Sequence, residues 1–135
     1  MKTEKSCGCI ILRNKEILLI GTRNDKNELF WSFPKGHKEP GETDVETALR
    51  ETKEEVGLDV KIIDEKPIST DYLIHDGTVL KNVSLFIAVP LNDEIKIQAS
   101  EVEKAKWMPV GEAGQYFKKY YSDAWKEFLV RFNSI

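Results

Sequence analysis

Residues 36–58, GHKEPGETDVETALRETKEEVGL, decide how the rest of the chain is read. Thr43 followed by Glu46 is the pattern of a capping box, in which each side chain satisfies a backbone N–H at the start of a helix. Val45, Ala48, Leu49, Thr52 and Val56 then recur at helical spacing, and Gly57 offers a left-handed stop. The spacing predicts a helix over 44–56. At about 100° per residue those five positions fall within an arc of roughly 100°, and Arg50, Glu51, Glu54 and Glu55 occupy a neighbouring arc of roughly 140°. The first face is expected in the core, and the second is a cluster of carboxylates.

Glu51 stands three residues from Glu54 and four from Glu55, so their side chains share one surface. Like charges at this spacing repel by about a few tenths of a kcal/mol per pair. A solvated acidic face is one reading of such a helix. The other is a site for a hard divalent cation, magnesium or manganese, which oxygen ligands so grouped would hold and which would relieve the repulsion. A turn-rich segment at 36–41, Arg50 among the carboxylates, and the aromatic and proline residues just upstream favour the second reading.

The spacing is also that of a named signature. Written G-x5-E-x7-R-E-U-x-E-E-x-G-U, with U bulky and apolar, it is met by Gly36, Glu42, Arg50, Glu51, Glu54, Glu55, Gly57 and Leu58; Thr52 departs from it in the first U place. In this the chain resembles the Nudix hydrolase family, whose members cut nucleoside diphosphates linked to another group. The resemblance implies an α/β fold, an α/β/α sandwich around a mixed β-sheet, formed by 1–135 as a single domain. It implies Arg50, Glu51, Glu54 and Glu55 as the catalytic group, with Glu51 as base and Arg50 holding the constellation through Glu42 or Glu51. The metal, Mg2+ or alternatively Mn2+, would be held by the Gly36 carbonyl, Glu51, Glu54, Glu55 and the downstream Glu101, with Glu103 as the fallback.

Outside the box, 3–13 and 16–22 are strand-like runs broken by Asn14-Lys15, a hairpin signal. In 29–34, LFWSFP, an extended chain would place Trp31 and Phe33 on one side and Phe30 on the other, with Phe30 and Phe33 in the core. Extended segments are expected at 58–63 and 67–74, then a turn at 75–78 and a long buried strand over 79–91 closed by Pro90. A polar connection follows at 92–100, a short strand at 107–110 and a brief helix at 111–117. The tail helix is expected to start with Ser122 as N-cap and to pack Ala124, Trp125, Phe128, Leu129 and Phe132 on the body.

Composition narrows the function classes. A net charge of -3 and a pI near 5.5 argue against backbone-driven nucleic-acid binding, while leaving room for a small nucleotide met by local lysines and a metal. No apolar run approaches the roughly 20 residues of a membrane span, and the opening residues lack a secretory signal, so the expected location is cytoplasmic. Cys7 and Cys9, two apart in a strand, would lie about 6.5 to 7 Å apart, which favours buried thiols over a disulfide.

The flanks of the box choose the leaving group. The runs WSFPKGH at 31–37, EPGE at 39–42 and ALRET at 48–52 look like the asymmetrical diadenosine tetraphosphate hydrolases. This resemblance implies attack of water on the polyphosphate to give ATP and AMP. It implies a phosphate contact from Lys81 and Tyr72 near the nucleotide; by position alone, Lys35 reads as a contact to substrate phosphate or to a neighbouring carboxylate, and His37, beside Gly36, as a solvated loop imidazole or a phosphate or base contact. A strand aromatic expected near Leu85 is missing, and the 72–81 loop reads as longer. The rival readings are another Nudix hydrolase, acting on a nucleoside triphosphate, an RNA 5′ end or an inositol pyrophosphate, and a catalytically silent nucleotide-sensing domain. The silent domain is disfavoured because Arg50, Glu51, Glu54 and Glu55 are all present.

Overall fold

In the computed structural model, which describes residues 1–117 and 120–135, the strand-forming runs pair into one mixed sheet. β1 (Lys2–Arg13) and β7 (Val79–Pro90) lie at its centre, parallel from the Lys2–Val79 pair to the Ile11–Ala88 pair. β2 (Glu16–Arg23) joins β1 through a hairpin, with Asn14 at φ 56° in the turn, and carries β3 (Leu29–Ser32). β4 (Lys35–His37) pairs with β1, β5 (Val60–Ile62) and β6 (Ile68–Ile74) with β7, and β8 (Lys104–Pro109) with β2, all antiparallel.

The alternation of β1 explains the layers. Cys7, Cys9 and Ile11 enter one core, whereas Ile10 and Leu12 enter the other, so both faces of the sheet need cover. Helix α1 (Asp44–Val56) covers the first face with Ala48 and Val56. Helix α3 (Ser122–Phe132) covers the second with Ala124, Trp125 and Phe128. Between β8 and α3 lie the short helix α2 (Val110–Ala113) and a 3-10 turn, Gly114–Tyr116. The result is the α/β/α arrangement of a mixed sheet. Among the described residues no helix is long and apolar enough to cross a membrane.

Both halves of the capping box form at Thr43 and Glu46, and Gly57 closes α1 at φ 75°. The helix departs from its hydrophobic pattern in one respect. Leu49 is 37% exposed, while Thr47, Ala48, Thr52, Glu55 and Val56 are buried. The buried face is rotated toward the carboxylates, because Glu55 points into the protein and Leu49 is thereby turned out. The polar connection before β8 acts as a strap on the same helix, Lys96 and Gln98 donating backbone N–H groups to the Val56 and Glu55 carbonyls at 2.8 and 2.9 Å. Those acceptors are orphaned at any helix C-terminus.

Other differences are local. Ser122 is the first residue of α3 and not its cap; the cap position is Tyr121, which supplies no side-chain bond. β8 starts at Lys104, three residues before Trp107, because Lys104 and Lys106 point to solvent from a strand that turns Ala105, Trp107 and Met108 inward. β4 has only three residues and too little pattern to announce itself. The aromatics at 30, 31 and 33 all lean on the α3-side core, Phe33 fully buried and Phe30 and Trp31 partly so. Strict alternation fails there because β3 ends at Ser32, before Phe33. Both cysteines are free and buried, and burial pushes each thiol up to about 11.

Phe33 stacks on Phe117 at 4.8 Å and meets Tyr121 and Trp125 edge-on and in parallel, at 5.7 and 6.4 Å. Phe33→Ala should therefore cost about 3 to 5 kcal/mol of unfolding free energy in a chemical denaturation curve, the range for an aromatic removed from a closed core.

Candidate active site

The site forms where β4 is pinned between β1 and α1. The antiparallel register sets Ser6 opposite His37, Cys7 opposite Gly36 and Gly8 opposite Lys35. On the helix side, Glu55 accepts a hydrogen bond from the Lys35 backbone N–H at 2.7 Å. A cleft of about 310 Å³ opens there, lined by Ser6, Lys35, Gly36, His37, Glu51, Lys81 and Glu101. It faces solvent over a floor that is largely charged.

Gly36 has a steric task. A Cβ at that position would lie 2.0 Å from the Glu51 carboxyl carbon, so the Glu51 carboxylate is packed directly against the β4 backbone. Burial raises the pKa of Glu51, opposed by Arg50 and helped by the neighbouring charges of Glu54 and Glu101. Glu55 is only 6% exposed, and desolvation lifts its carboxyl to about 7, with Glu51 and Glu101 adding to the rise against the hydrogen bond and charge of Lys35. A buried carboxylate and a half-buried one pushed in this direction, beside a third, concentrate negative charge that Arg50 and Lys35 offset only in part.

Arg50 holds the remainder. Its Nε donates to Glu42 at 2.6 Å and its Nη2 to the same carboxylate at 3.0 Å. Nη1 reaches Glu51 at 2.8 Å and Glu54 at 3.2 Å, and Nη2 also donates to the His37 carbonyl at 3.0 Å. The paired bonds from Arg50 hold Glu42 down at about 2. Glu54 stays 47% exposed at the rim.

Two lysines and a histidine share the cleft with these carboxylates. Lys81 lies 3.2 Å from His37 Nε2 and 3.8 Å from Glu4, with its side chain 12% exposed. Burial lowers the pKa of both Lys35 and Lys81, and the Lys81 charge depresses Lys35 further. Tyr72 is the cross-strand partner of Lys81, so it stands beside the cleft and not in it. Its ring lies 4.5 Å from that of Tyr120, and the two line a second hollow of about 380 Å³ with Phe30, Leu29 and Ile74.

Of the residues singled out from sequence, Lys35, Gly36, His37, Glu51, Lys81 and Glu101 come together in one cleft. Glu55 sits behind it, Glu54 at its edge and Tyr72 next to it. Glu103 turns away to pair with Arg23. Glu4, Ser6 and Tyr120 were not foreseen, because only the parallel pairing of β1 with β7 and the path before α3 bring them here. Among the described residues no three Asp, Glu, His or Cys groups close into an ion cage. The donors nonetheless suit magnesium, which is commonly bound through one or two carboxylates plus substrate phosphates.

With the geometry in hand, comparison assigns the class. The NUDIX domain model matches residues 2–129, and the chain belongs to the Nudix family. It is a Nudix hydrolase, and Nudix hydrolases generally use divalent metal ions such as Mg2+. The chain is 33% identical over 125 residues to the asymmetrical bis(5′-nucleosyl)-tetraphosphatase of Sus scrofa, with 82% of each chain covered. Its fold is similar to that of the Ap4A hydrolase of C. elegans, with a TM-score of 0.82 and 25% identity over 98% of this chain and 99% of that one. A NUDIX hydrolase from Nitrosomonas europaea has the same fold at a TM-score of 0.76 and 16% identity, covering 98% and 90%.

The clash built by a methyl at Gly36 falls on the end of a flexible side chain, so the fold can yield where the site cannot. Gly36→Ala should leave the thermal midpoint within about 3 °C of the unmodified protein, a shift of less than about 1 kcal/mol. Hydrolase activity should fall by about tenfold or more, since small misplacements of a reacting group are expensive. Thermal melts and initial-rate assays on one preparation check both.

Proposed function

We propose that this chain hydrolyses diadenosine tetraphosphate asymmetrically, adding water to the polyphosphate to release ATP and AMP with magnesium as cofactor. The observation that carries the reading is the junction of a charged cleft with an aromatic hollow. Lys81 lines the first, its cross-strand partner Tyr72 lines the second, and a nucleotide with a long phosphate chain needs both. The relatives named for this activity in pig and mouse, at 33% and 32% identity over 125 residues, support it.

In this reading Lys35, His37 and Lys81 take the phosphate oxygens. Tyr72 and Tyr120 offer the face on which adenine stacks, an interaction worth about 1 to 3 kcal/mol per base. They supply the aromatic surface whose expected source near Leu85 is absent from the sequence. The donor set for the cation is the Gly36 carbonyl with Glu51, Glu54, Glu55 and Glu101. A divalent ion there supplies neutralisation of phosphate charge and a lowered pKa for water. Glu51, packed against Gly36 and oriented by Arg50, accepts the proton of the attacking water. Arg50 acts through Glu42, Glu51 and Glu54 and is a positioning residue.

Diadenosine tetraphosphate incubated with the protein and magnesium, with products resolved by chromatography, should yield ATP and AMP in equal amounts. Two ADP molecules per substrate would overturn asymmetric attack, and cleavage of nucleoside triphosphates alone would overturn the substrate. Glu55→Gln should lower kcat by about a hundredfold or more while the circular dichroism spectrum is retained. Full activity in that variant would remove Glu55 from the donor set.

A further inference from the structure

Ser6 sits on β1 between the cross-strand neighbours His37 on β4 and Val83 on β7. Its side chain is fully buried, and its Oγ has no hydrogen-bond partner among the described residues. It is nevertheless part of the cleft wall, beside Lys35, Glu51 and Lys81. A buried hydroxyl left unpaired costs about 1 to 3 kcal/mol, whereas a methyl in its place costs nothing of the kind. Its immediate neighbours on the same face of β1 are Glu4, whose carboxylate lies by Lys81 and His37, and Gly8, and neither pairs with the Ser6 oxygen.

The surroundings select what completes it. The protein acceptor nearest to Lys81 in kind, Glu4, is already shared between Lys81 at 3.8 Å and His37 at 3.6 Å. The Lys35 backbone is engaged with Glu55 at 2.7 Å. A hydroxyl that shares its cleft with two half-desolvated ammonium groups is best satisfied by donating to an anionic oxygen, since charge-assisted bonds are the strong ones. We infer that Ser6 is a substrate-binding residue, its Oγ–H donating to a non-bridging phosphate oxygen of the polyphosphate seated with Lys35 and Lys81. This deepens the reading of the cleft as a phosphate site and rests on it.

The test separates a ligand contact from a structural hydroxyl. With diadenosine tetraphosphate and magnesium, Ser6→Ala should raise KM by about tenfold, with a smaller change in kcat. The ligand-free variant should melt at the same temperature as the unmodified protein or higher, because an unpaired buried oxygen has been removed. Calorimetric titration with inorganic tripolyphosphate and magnesium should show the same loss of affinity. An unchanged KM and unchanged tripolyphosphate affinity would overturn the inference, as would a lowered melting temperature with affinity intact. Lys81→Ala is run alongside. If the unmodified protein neither turns over the dinucleotide nor binds tripolyphosphate, the phosphate reading of the cleft has failed. If it does both and Lys81→Ala weakens binding while Ser6→Ala does not, only the role of Ser6 has failed.

Discussion

Glu42, Glu51 and Glu54 would repel one another if left alone, and the Arg50 guanidinium stands among all three. Its planar fork of five donors can face several carboxylates at once, which a lysine ammonium could not do with the same direction at each oxygen. The side chain is 25% exposed, so the network is partly screened and its value lies in geometry more than in stability. The same guanidinium donates to the His37 carbonyl, which fastens α1 to the end of β4. That bond and the one from the Lys35 N–H to Glu55 register helix and strand together, and the Lys35–Gly36–His37 backbone is held where Glu51 and Glu55 meet it.

How much of this was legible in the sequence follows the separation of the residues involved. The capping box, the stop at Gly57 and the carboxylate spacing are contained within fifteen consecutive positions, so their physics is local and can be read without a fold. The β1–β2 hairpin and the turn before β7 are equally short-range. Ser6 and Glu4, by contrast, reach the cleft through strand pairings some thirty to eighty positions apart in the chain, and nothing in their immediate neighbours signals it. Tyr120 belongs to the approach to α3 and meets Tyr72 only once that helix has covered the sheet.

Leu49 shows a second kind of failure. Hydrophobicity assigns it to the core, yet the helix turns it outward and buries Glu55. A pattern read by apolar character assumes that burial follows transfer free energy, and that assumption breaks where a site needs a carboxylate inside. The misplaced leucine is the trace of function on an otherwise regular amphipathic helix. The missed caps and strand ends have a duller origin, since Lys104 and Lys106 on β8 are simply solvent-facing residues of a strand with one covered face.

An acidic chain that acts on nucleotides must place cations locally, and here Lys35 and Lys81 stand in the same cleft as Glu51 and Glu101. Glu51 and Glu55, with Glu101 near them, are pushed toward their neutral forms by burial and mutual repulsion. Lys35 and Lys81, in the same cleft, are pushed toward theirs by burial. The two sets neutralise each other only in part: the charge of Lys35 opposes the rise at Glu55, while Glu51 is turned to Arg50 and Lys81 to Glu4 and His37. In the proposed reading, a divalent ion carried with a phosphate chain would bring positive charge to the carboxylates and negative oxygens to the lysines. On that same reading, the electrostatic cost held in the folded chain would be released by a ligand that bears both signs, and the cleft would favour metal-bearing phosphates over either ion by itself.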